Sequence, residues 1–412
     1  DQYAPKFIKT IQTIMAGGYD VDYISDSFIK STSCQDGMLK TSGGACYKAL
    51  IVPAVKLVPV STLKKLVALV RQGATVVFVE HYPEDVPGYA SLEQNRKQLF
   101  ALLEQLPEEK SFQGTQAFNF GKGRIIVGSD YHETLERTGV PAEELKTRWG
   151  VQFIRRTHTE GHHYFISNLQ ANDVEGWVTL NVPEKHIMCF DPMTGKRGIA
   201  KTREVEGKTQ VYMQLKSGES IILQTFTRSL QGEPEWKYRK EMDYSLSLDH
   251  GWKLRFVESY PAIEGEFEID TPSSWTEIAH PAAKINRGTA LYSLELDLPD
   301  LLADDWILNL GDVRESARVR VNGQEAGVAW AAPFHLSIGQ LLKSGRNLIE
   351  VEVTNLPANS IAEMDRQGKQ WRIFEDINMA KLNYEKGTYG HWETLPSGLN
   401  GIVRLIPVKY LF

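Results

Sequence analysis

The spacing of apolar residues changes near residue 150, and each spacing predicts a different kind of structure. Before that point apolar residues recur at helical intervals in three stretches: KFIKTIQTIMAGG (6–18), TLKKLVALVRQ (62–72) and SLEQNRKQLFALLEQL (91–106). Gly17-Gly18 and Gly73 end two of these helices, and Ser61 is a candidate N-cap for the second. Between the helices lie predicted strands: YDVDYIS (19–25), KALIVPA (48–54), ATVVFVE (74–80) and GRIIVGS (123–129).

Buried apolar strands that alternate with amphipathic helices are typical of a parallel sheet covered by helices on both faces. Residues 1–150 are therefore predicted to form a flavodoxin-like, doubly wound α/β domain. Such a domain normally opens with a strand that becomes central in the sheet, whereas this chain opens with a helix. We expect that the domain is truncated and that the chain is the tail of a longer polypeptide. A variant topology that starts with a helix is the alternative.

After residue 150 short strands of alternating character follow one another, with turn signals between them. Residues 151–232 are predicted to form a small antiparallel β-sandwich. Residues 233–412 have longer strands with few helices, which indicates a jelly-roll β-sandwich. Within it, Asn322-Gly323 supplies the positive φ angles that a tight hairpin turn requires.

The composition and charge of the chain argue against some classes of function. The chain has 412 residues, 42% of them hydrophobic and 24% charged, with a net charge of −6 and no basic stripe, so a nucleic-acid partner is not expected. No apolar run reaches the roughly 18 residues that a membrane span needs, so no membrane partner is expected. Its three cysteines lack the spacing of a zinc site or a disulfide framework. The chain begins with Asp1 and shows no signal peptide, which suggests processing, trimming or excision.

One ordered series of motifs in the last region carries a resemblance to a known family. Leu310-Gly311-Asp312-Val313 precedes a strand that ends at Val321-Asn322-Gly323, then Gly327 and Trp330 precede Pro333, and Gly345, Asn347 and a strand over 351–355 close the series. This order resembles the galactose-binding-like, sugar-binding jelly-roll domain of family 2 glycoside hydrolases. Upstream, YKALIVPAVKLVPVSTLKKLVALVRQGATVVFVE, GHHYFISN and ESIILQTF resemble the post-barrel portion of family 106 α-L-rhamnosidases. After Asn355 the sequence departs from the expected motif.

The resemblance implies that a catalytic (β/α)8 barrel precedes this chain in the same polypeptide. This part would then recognise carbohydrate and support the barrel, in a periplasmic or secreted bacterial enzyme acting on plant or microbial polysaccharide. Calcium is the one cofactor suggested by family analogy, and the chain contains no Asp-rich loop of the EF-hand type. Two alternatives stay open: a stand-alone carbohydrate-binding or structural module, and a hydrolase with its own site in the α/β domain.

For that last alternative the candidate catalytic residues are Glu80, His81 and Glu84. They follow a predicted parallel strand, and ligands of α/β folds usually bind at the carboxyl ends of such strands. A glycosidase needs two facing carboxylates, and a histidine can act as acid or base. A solvated loop after the strand is the simpler interpretation. Cys46 lacks the Gly-x-Cys-x-Gly elbow of a nucleophile, and His158, His162 and His163 are more simply a histidine-rich hairpin than a metal site.

Carbohydrate binding has better support from residue types. Sugar rings stack on aromatic side chains, and their hydroxyls need directed polar groups. Seven of the nine tryptophans lie in the last region, where Trp306 is predicted to be core. The alternative for the others is packing inside the sandwich or against the barrel. The predicted carbohydrate-binding residues are Trp330, Asn355, Trp371, Arg372, Glu375, His391 and Trp392.

Overall fold

A computed structural model describes residues 6–108, 114–298, 302–373 and 387–412. Within these residues the chain is mostly β-structure, arranged in several sheets with a few helices between them. The helices are α1 (Lys6–Ala16), α2 (Asp26–Ser31), α3 (Val60–Gln72), α4 (Leu92–Leu103), α5 (Tyr131–Thr138), α6 (Glu144–Thr147) and α7 (Ala358–Arg366).

The first part contains three of the four strands predicted for the parallel sheet. Its strands are β1 (Ser33–Gln35), β2 (Met38–Lys40), β3 (Cys46–Tyr47), β4 (Ala49–Val52), β5 (Thr75–Val79), β6 (Gln116–Phe120) and β7 (Gly123–Gly128). Strands β4, β5 and β7 are parallel neighbours, and β6 joins antiparallel to β7 in the order β4-β5-β7-β6. Strands β1 to β3 form a separate antiparallel sheet. The α/β character of this part is as predicted, and the flavodoxin-like topology is not confirmed.

Successive side chains of β5 point to opposite faces of this sheet, and helices cover both faces. Val76 and Phe78 point into a core that they share with the apolar face of α3, whereas Val77 and Val79 face the opposite side, where Tyr131 of α5 packs. All five residues of β5 are buried. A strand buried on both faces has no polar alternation, which is why its sequence is a continuous apolar run.

Two local predictions in this part are wrong. Residues 19–25 form no strand, because no described strand pairs with their backbone. Instead, the Asp20 carboxylate pairs with Arg155, and the Asp22 carboxylate accepts a hydrogen bond from the Tyr47 hydroxyl. Helix α3 begins one residue before Ser61, with Pro59 at its N-cap. Helix α5 is capped by Asp130, whose side chain accepts a hydrogen bond from the Glu133 amide.

The middle part is a pair of antiparallel sheets around one core. Its strands are β8 (Gln152–His158), β9 (Gly161–Ser167), β10 (Val174–Leu180), β11 (His186–Phe190), β12 (Arg197–Ile199), β13 (Thr202–Val205), β14 (Lys208–Leu215) and β15 (Ser220–Phe226). One sheet has the order β12-β11-β15-β9-β8 and the other β10-β14-β13. Buried residues of both sheets form one cluster, among them Tyr164 and Leu223 of the first and Val178 and Val211 of the second.

The last part also has two main antiparallel sheets. Its strands are β16 (Tyr238–Glu241), β17 (Leu246–Ser247), β18 (Trp252–Tyr260), β19 (Glu266–Ile269), β20 (Arg287–Leu298), β21 (Asp305–Asn309), β22 (Val313–Arg314), β23 (Ser316–Val321), β24 (Gln324–Ala329), β25 (His335–Ser337), β26 (Gly345–Thr354), β27 (Gly398–Leu399) and β28 (Arg404–Leu411). The larger sheet runs β19-β18-β20-β26-β23-β24, and the smaller runs β16-β28-β21-β25, with β17 also on β28.

Both of these sheets contribute to one core, which contains three tryptophans. Trp252, Trp275 and Trp306 are almost completely buried, so the prediction that Trp306 is a core residue is confirmed. The predicted hairpin is also present, since β23 pairs with β24 across Asn322 and Gly323, whose φ angles are 52° and 78°. The domain boundaries near residues 150 and 232 stay a prediction.

Polar contacts between side chains join the three parts. Glu143, whose side chain is fully buried, accepts hydrogen bonds from Arg155 (2.5 Å) and from the Tyr164 hydroxyl (2.8 Å). It thereby ties the end of the α/β part to the middle sandwich. Glu219, in the turn between β14 and β15, lies 3.0 Å from Nε2 of His335 on β25 and ties the middle part to the last.

Candidate carbohydrate-binding site

Several of the residues predicted to contact sugar come together beside helix α7, which follows strand β26. In the first turn of this helix, Nδ2 of Asn359 donates to the Leu395 carbonyl, and the Leu395 amide donates to Oδ1 of Asn359, both at 2.8 Å. The Arg366 guanidinium at the other end of the helix donates to the Gly390 carbonyl at 3.1 Å. The segment 387–397 is therefore attached along the length of α7.

Asp365 is the residue that organises the aromatic side chains. Its Oδ1 accepts a hydrogen bond of 2.6 Å from the indole of Trp371, and its Oδ2 accepts one of 2.5 Å from the backbone amide of Tyr389. The hydrogen bond from Tyr389 and, to a smaller extent, that from Trp371 hold the pKa of Asp365 below its usual value. The carboxylate therefore fixes one predicted tryptophan against the segment that carries another.

Three rings and one cation meet around this carboxylate. The centroid of the Tyr389 ring lies 5.7 Å from that of Trp371 and 4.5 Å from that of Trp392, with both pairs tilted. The Arg372 guanidinium lies 5.1 Å from the centroids of Trp371 and of Tyr389. We call Asp365, Trp371, Arg372, Tyr389 and Trp392 the tryptophan cluster.

The cluster has the chemical properties of a carbohydrate contact surface. Trp392 keeps 40% of its surface exposed, and Trp371, Tyr389 and Arg372 are half-buried, so ring surface is available beside a cation and a carboxylate. Sugar rings offer apolar faces to such aromatics and hydroxyls to such polar groups. Since Asp365 already fixes Trp371, little side-chain entropy would be lost when a ligand binds.

The other predicted sugar contacts lie in different surroundings. Trp330 is 60% exposed and follows β24 immediately. His391 is exposed and adjoins Trp392 in the chain. Both amide hydrogens of Asn355 are donated to protein oxygens, those of Asn286 and Ser397, each at 3.0 Å. Glu375 lies outside the described residues.

The candidate catalytic residues Glu80, His81 and Glu84 do follow β5, as predicted, but no hydrogen bond or ion pair joins any two of them. Glu80 has a left-handed φ of 66°, and its amide donates to the Gly128 carbonyl at 2.9 Å. His81 Nδ1 lies 2.7 Å from the Tyr82 carbonyl, and Glu84 makes an exposed ion pair of 3.8 Å with Lys56.

Comparison with known proteins gives residues 2–202 a family context. A glycoside hydrolase family 106 model, described as alpha-L-rhamnosidase, matches residues 2–202. The resemblance to the family 106 α-L-rhamnosidases is confirmed. A protein of Formosa agariphila named “Putative beta-glucuronidase” is 28% identical to this chain over 197 residues, which are 43% of this chain and 17% of that protein. This second relative agrees with the predicted likeness to family 2 domains.

A solved structure gives the fold context. The rhamnosidase from Novosphingobium sp. PP1Y matches 93% of this chain with a TM-score of 0.72 and 24% sequence identity. The two chains therefore share a fold over nearly the whole length of this one. The match spans 36% of the length of that rhamnosidase.

The sequence prediction missed two members of the tryptophan cluster, Asp365 and Tyr389. Tyr389 stands two residues before His391, so an aromatic count of the GTYGHWE stretch would have included it. Asp365 lies on a helix that was not predicted, six residues before Trp371, and no spacing rule links a helical carboxylate to an indole at that distance in the chain.

The described residues contain no group of three or more His, Cys, Asp or Glu side chains placed to hold a metal ion. None of their helices is long and apolar enough to cross a membrane.

Proposed function

We propose that this chain recognises carbohydrate and supports the catalytic barrel of a glycoside hydrolase that resembles the α-L-rhamnosidases. The observation that carries the proposal is the tryptophan cluster, in which Trp371, Arg372 and Trp392, each selected for its residue type, meet around Asp365. The family resemblance and the shared fold support the class of enzyme.

The proposal has further parts that rest on the resemblance. The substrate is a plant or microbial polysaccharide that contains rhamnose, and the protein acts in the periplasm or outside the cell. The barrel precedes this chain in the same polypeptide and supplies the catalytic carboxylates. The chain folds as an α/β domain (1–150), a small sandwich (151–232) and a galactose-binding-like jelly roll (233–412).

Calorimetric titration with rhamnose-containing oligosaccharides tests the central claim. We expect wild type to bind and Trp392→Ala or Trp371→Ala to weaken binding at least about tenfold, which corresponds to about 1.4 kcal/mol. Tyr89→Ala is the matched control, because Tyr89 is an aromatic residue with 94% of its surface exposed in the α/β part. Unchanged affinity in both tryptophan variants, or no binding by wild type, would overturn the assignment of the cluster.

One observation favours a second candidate, a hydrolase site in the α/β part. Glu80 adopts a left-handed φ of 66° at the carboxyl end of β5, and non-glycine residues in that region cost about 1 kcal/mol or more and concentrate at functional sites. Rhamnoside hydrolysis by this chain that is lost in Glu80→Gln, with its fold intact by circular dichroism, would support it. Hydrolysis that is absent, or equal in both proteins, would reject it.

A further inference from the structure

A groove of about 600 Å³ lies at the opposite end of the parallel sheet from Glu80. Its polar lining includes Lys48, Thr75, Asn119, Lys122, Arg124 and Thr138. Strand register brings three of these residues together. Lys48 directly precedes Ala49, the first residue of β4, and Ala49 pairs with Thr75. Thr75 pairs on its other side with Arg124. Lys122 stands in the turn between β6 and β7.

The groove is positively charged. Three of its lining side chains are cationic, and Asp36 is the one acidic residue in the lining. Within the described parts of the chain, the amino groups of Lys48 and Lys122 make no ion pair and no hydrogen bond. Unpaired cations that face one groove repel one another, and an anion placed between them relieves that repulsion.

Two of these positions are held by the fold. The Arg124 guanidinium donates to the Thr138 carbonyl at 3.0 Å, which fixes it beside the end of α5. The backbone amide of Lys122 donates to the Arg71 carbonyl at 3.2 Å, which attaches the β6–β7 turn to the end of α3. The cations therefore project from backbone that is held in place. The Arg71 carbonyl at the end of α3, which could attract the Lys122 amino group, already accepts a hydrogen bond from a backbone amide.

The lining also indicates the kind of anion. Thr75 and Asn119 supply a hydroxyl and an amide group, and Met38 is the only large apolar side chain in the lining. A volume of this size suits a ligand of a few sugar rings rather than a single small ion. Hydroxyl-rich rings would use the polar groups, and an oxyanion substituent would use the cations.

We propose that this groove binds an acidic oligosaccharide, with Lys48, Lys122 and Arg124 contacting its carboxylate or sulfate ester groups. The choice of a saccharide rests on the proposed function, whereas the choice of an anion rests on the charges of the groove alone. The site shares no residue with the tryptophan cluster, so the two can be tested separately.

The test compares two double variants that change charge equally. Lys48→Gln/Lys122→Gln removes the unpaired groove cations, and Lys196→Gln/Lys208→Gln removes two exposed cations of the middle sandwich that make no ion pair. Each takes the net charge from −6 to −8, because two positive charges are removed. Titrations at about 0.1 M salt use tetragalacturonate, a sulfated dextran oligosaccharide, the parent neutral dextran oligosaccharide and inorganic sulfate.

We expect wild type to bind at least one acidic oligosaccharide at least tenfold more tightly than the neutral one. The groove variant should lose at least tenfold in that affinity, and the control variant less than twofold. Tetragalacturonate and the sulfated compound distinguish carboxylate from sulfate as the recognised group. Equal losses in both variants, no binding of either acidic compound, or inorganic sulfate binding as tightly as the saccharides would overturn the proposal.

The same titrations separate this proposal from that for the tryptophan cluster. Trp392→Ala should retain acidic-oligosaccharide binding, and the groove variant should retain binding of neutral rhamnose-containing oligosaccharides. If wild type binds no neutral glycan but binds acidic ones through the groove, the tryptophan-cluster proposal fails and the groove proposal stands. The reverse pattern overturns the groove alone.

Discussion

Replacing Gly398 by alanine should destabilise the last part of the chain strongly. Gly398 has a φ of 94°, and a Cβ added there would lie 2.1 Å from the Tyr292 hydroxyl oxygen and 2.7 Å from the Trp275 ring. Both aromatic residues are fully buried in the sandwich core. The clash would also displace the Tyr292 hydroxyl, which accepts a hydrogen bond of 3.1 Å from the Leu399 amide.

The size of the effect follows from two separate costs. The left-handed backbone costs about 1 to 2 kcal/mol for a residue with a Cβ. Forcing an extra methyl group into a packed core costs about 1 to 3 kcal/mol more. We therefore expect Gly398→Ala to lower the free energy of unfolding by about 3 kcal/mol. At a urea dependence of about 2 kcal/mol per molar, the midpoint should fall by about 1.5 M.

Gly323→Ala is the matched control, because it isolates the backbone cost. Gly323 has a φ of 78°, and a Cβ added there would meet no atom within 4 Å. We expect a loss of only about 1 kcal/mol. Urea unfolding followed by tryptophan fluorescence suits the comparison, since seven of the nine tryptophans belong to this part of the chain. If the two variants lose stability equally, the close packing around Gly398 plays no part and the reasoning fails.

Two other contacts between parts of the chain give further predictions. Glu143→Ala leaves Arg155 and the Tyr164 hydroxyl without a buried acceptor and should cost about 3 kcal/mol in urea unfolding. Glu144→Ala is its control and should cost under about 0.5 kcal/mol, because its pair with Arg148 is exposed; equal losses would contradict the role of Glu143. Burial raises the pKa of Glu219, but the hydrogen bond and charge of His335 outweigh it, so the folded pKa lies below the ordinary 4.5. Glu219→Gln should therefore be less stable than wild type above pH 4.5, and the difference in thermal midpoint should shrink as pH falls through the folded pKa. A difference that grows toward low pH would refute this.

The sequence predicted those elements whose own pattern determines them. Strand β5 is a run of five buried residues, and a hairpin with Asn322-Gly323 at its turn needs no distant partner to be recognised. Residues 19–25 show where such reasoning fails. Their alternation favours a strand, but a strand also needs a neighbour to bond, and here Asp20 bonds to Arg155, more than 100 residues away in the chain.

The candidate site, too, could be predicted from the sequence only in part. Tryptophans and arginines in a loop-like stretch could be selected by residue type, and three of those selected do meet. Their meeting point depends on Asp365, whose partners come from two later segments of the chain. The groove cations could not be grouped from the sequence either, because strand register rather than spacing brings Lys48 and Arg124 to one edge.

The anchoring of the segment 387–397 connects core packing to the candidate site. Asn355 donates to the Ser397 hydroxyl, and the backbone amide of Ser397 donates to the Ser274 hydroxyl at 2.9 Å, directly before Gly398 enters the core. At its other end the segment is held by Asp365 through Tyr389. Trp392 lies between these two anchors, so its position depends on both. Asn355, which was predicted as a sugar contact, therefore helps to position the segment that carries Trp392.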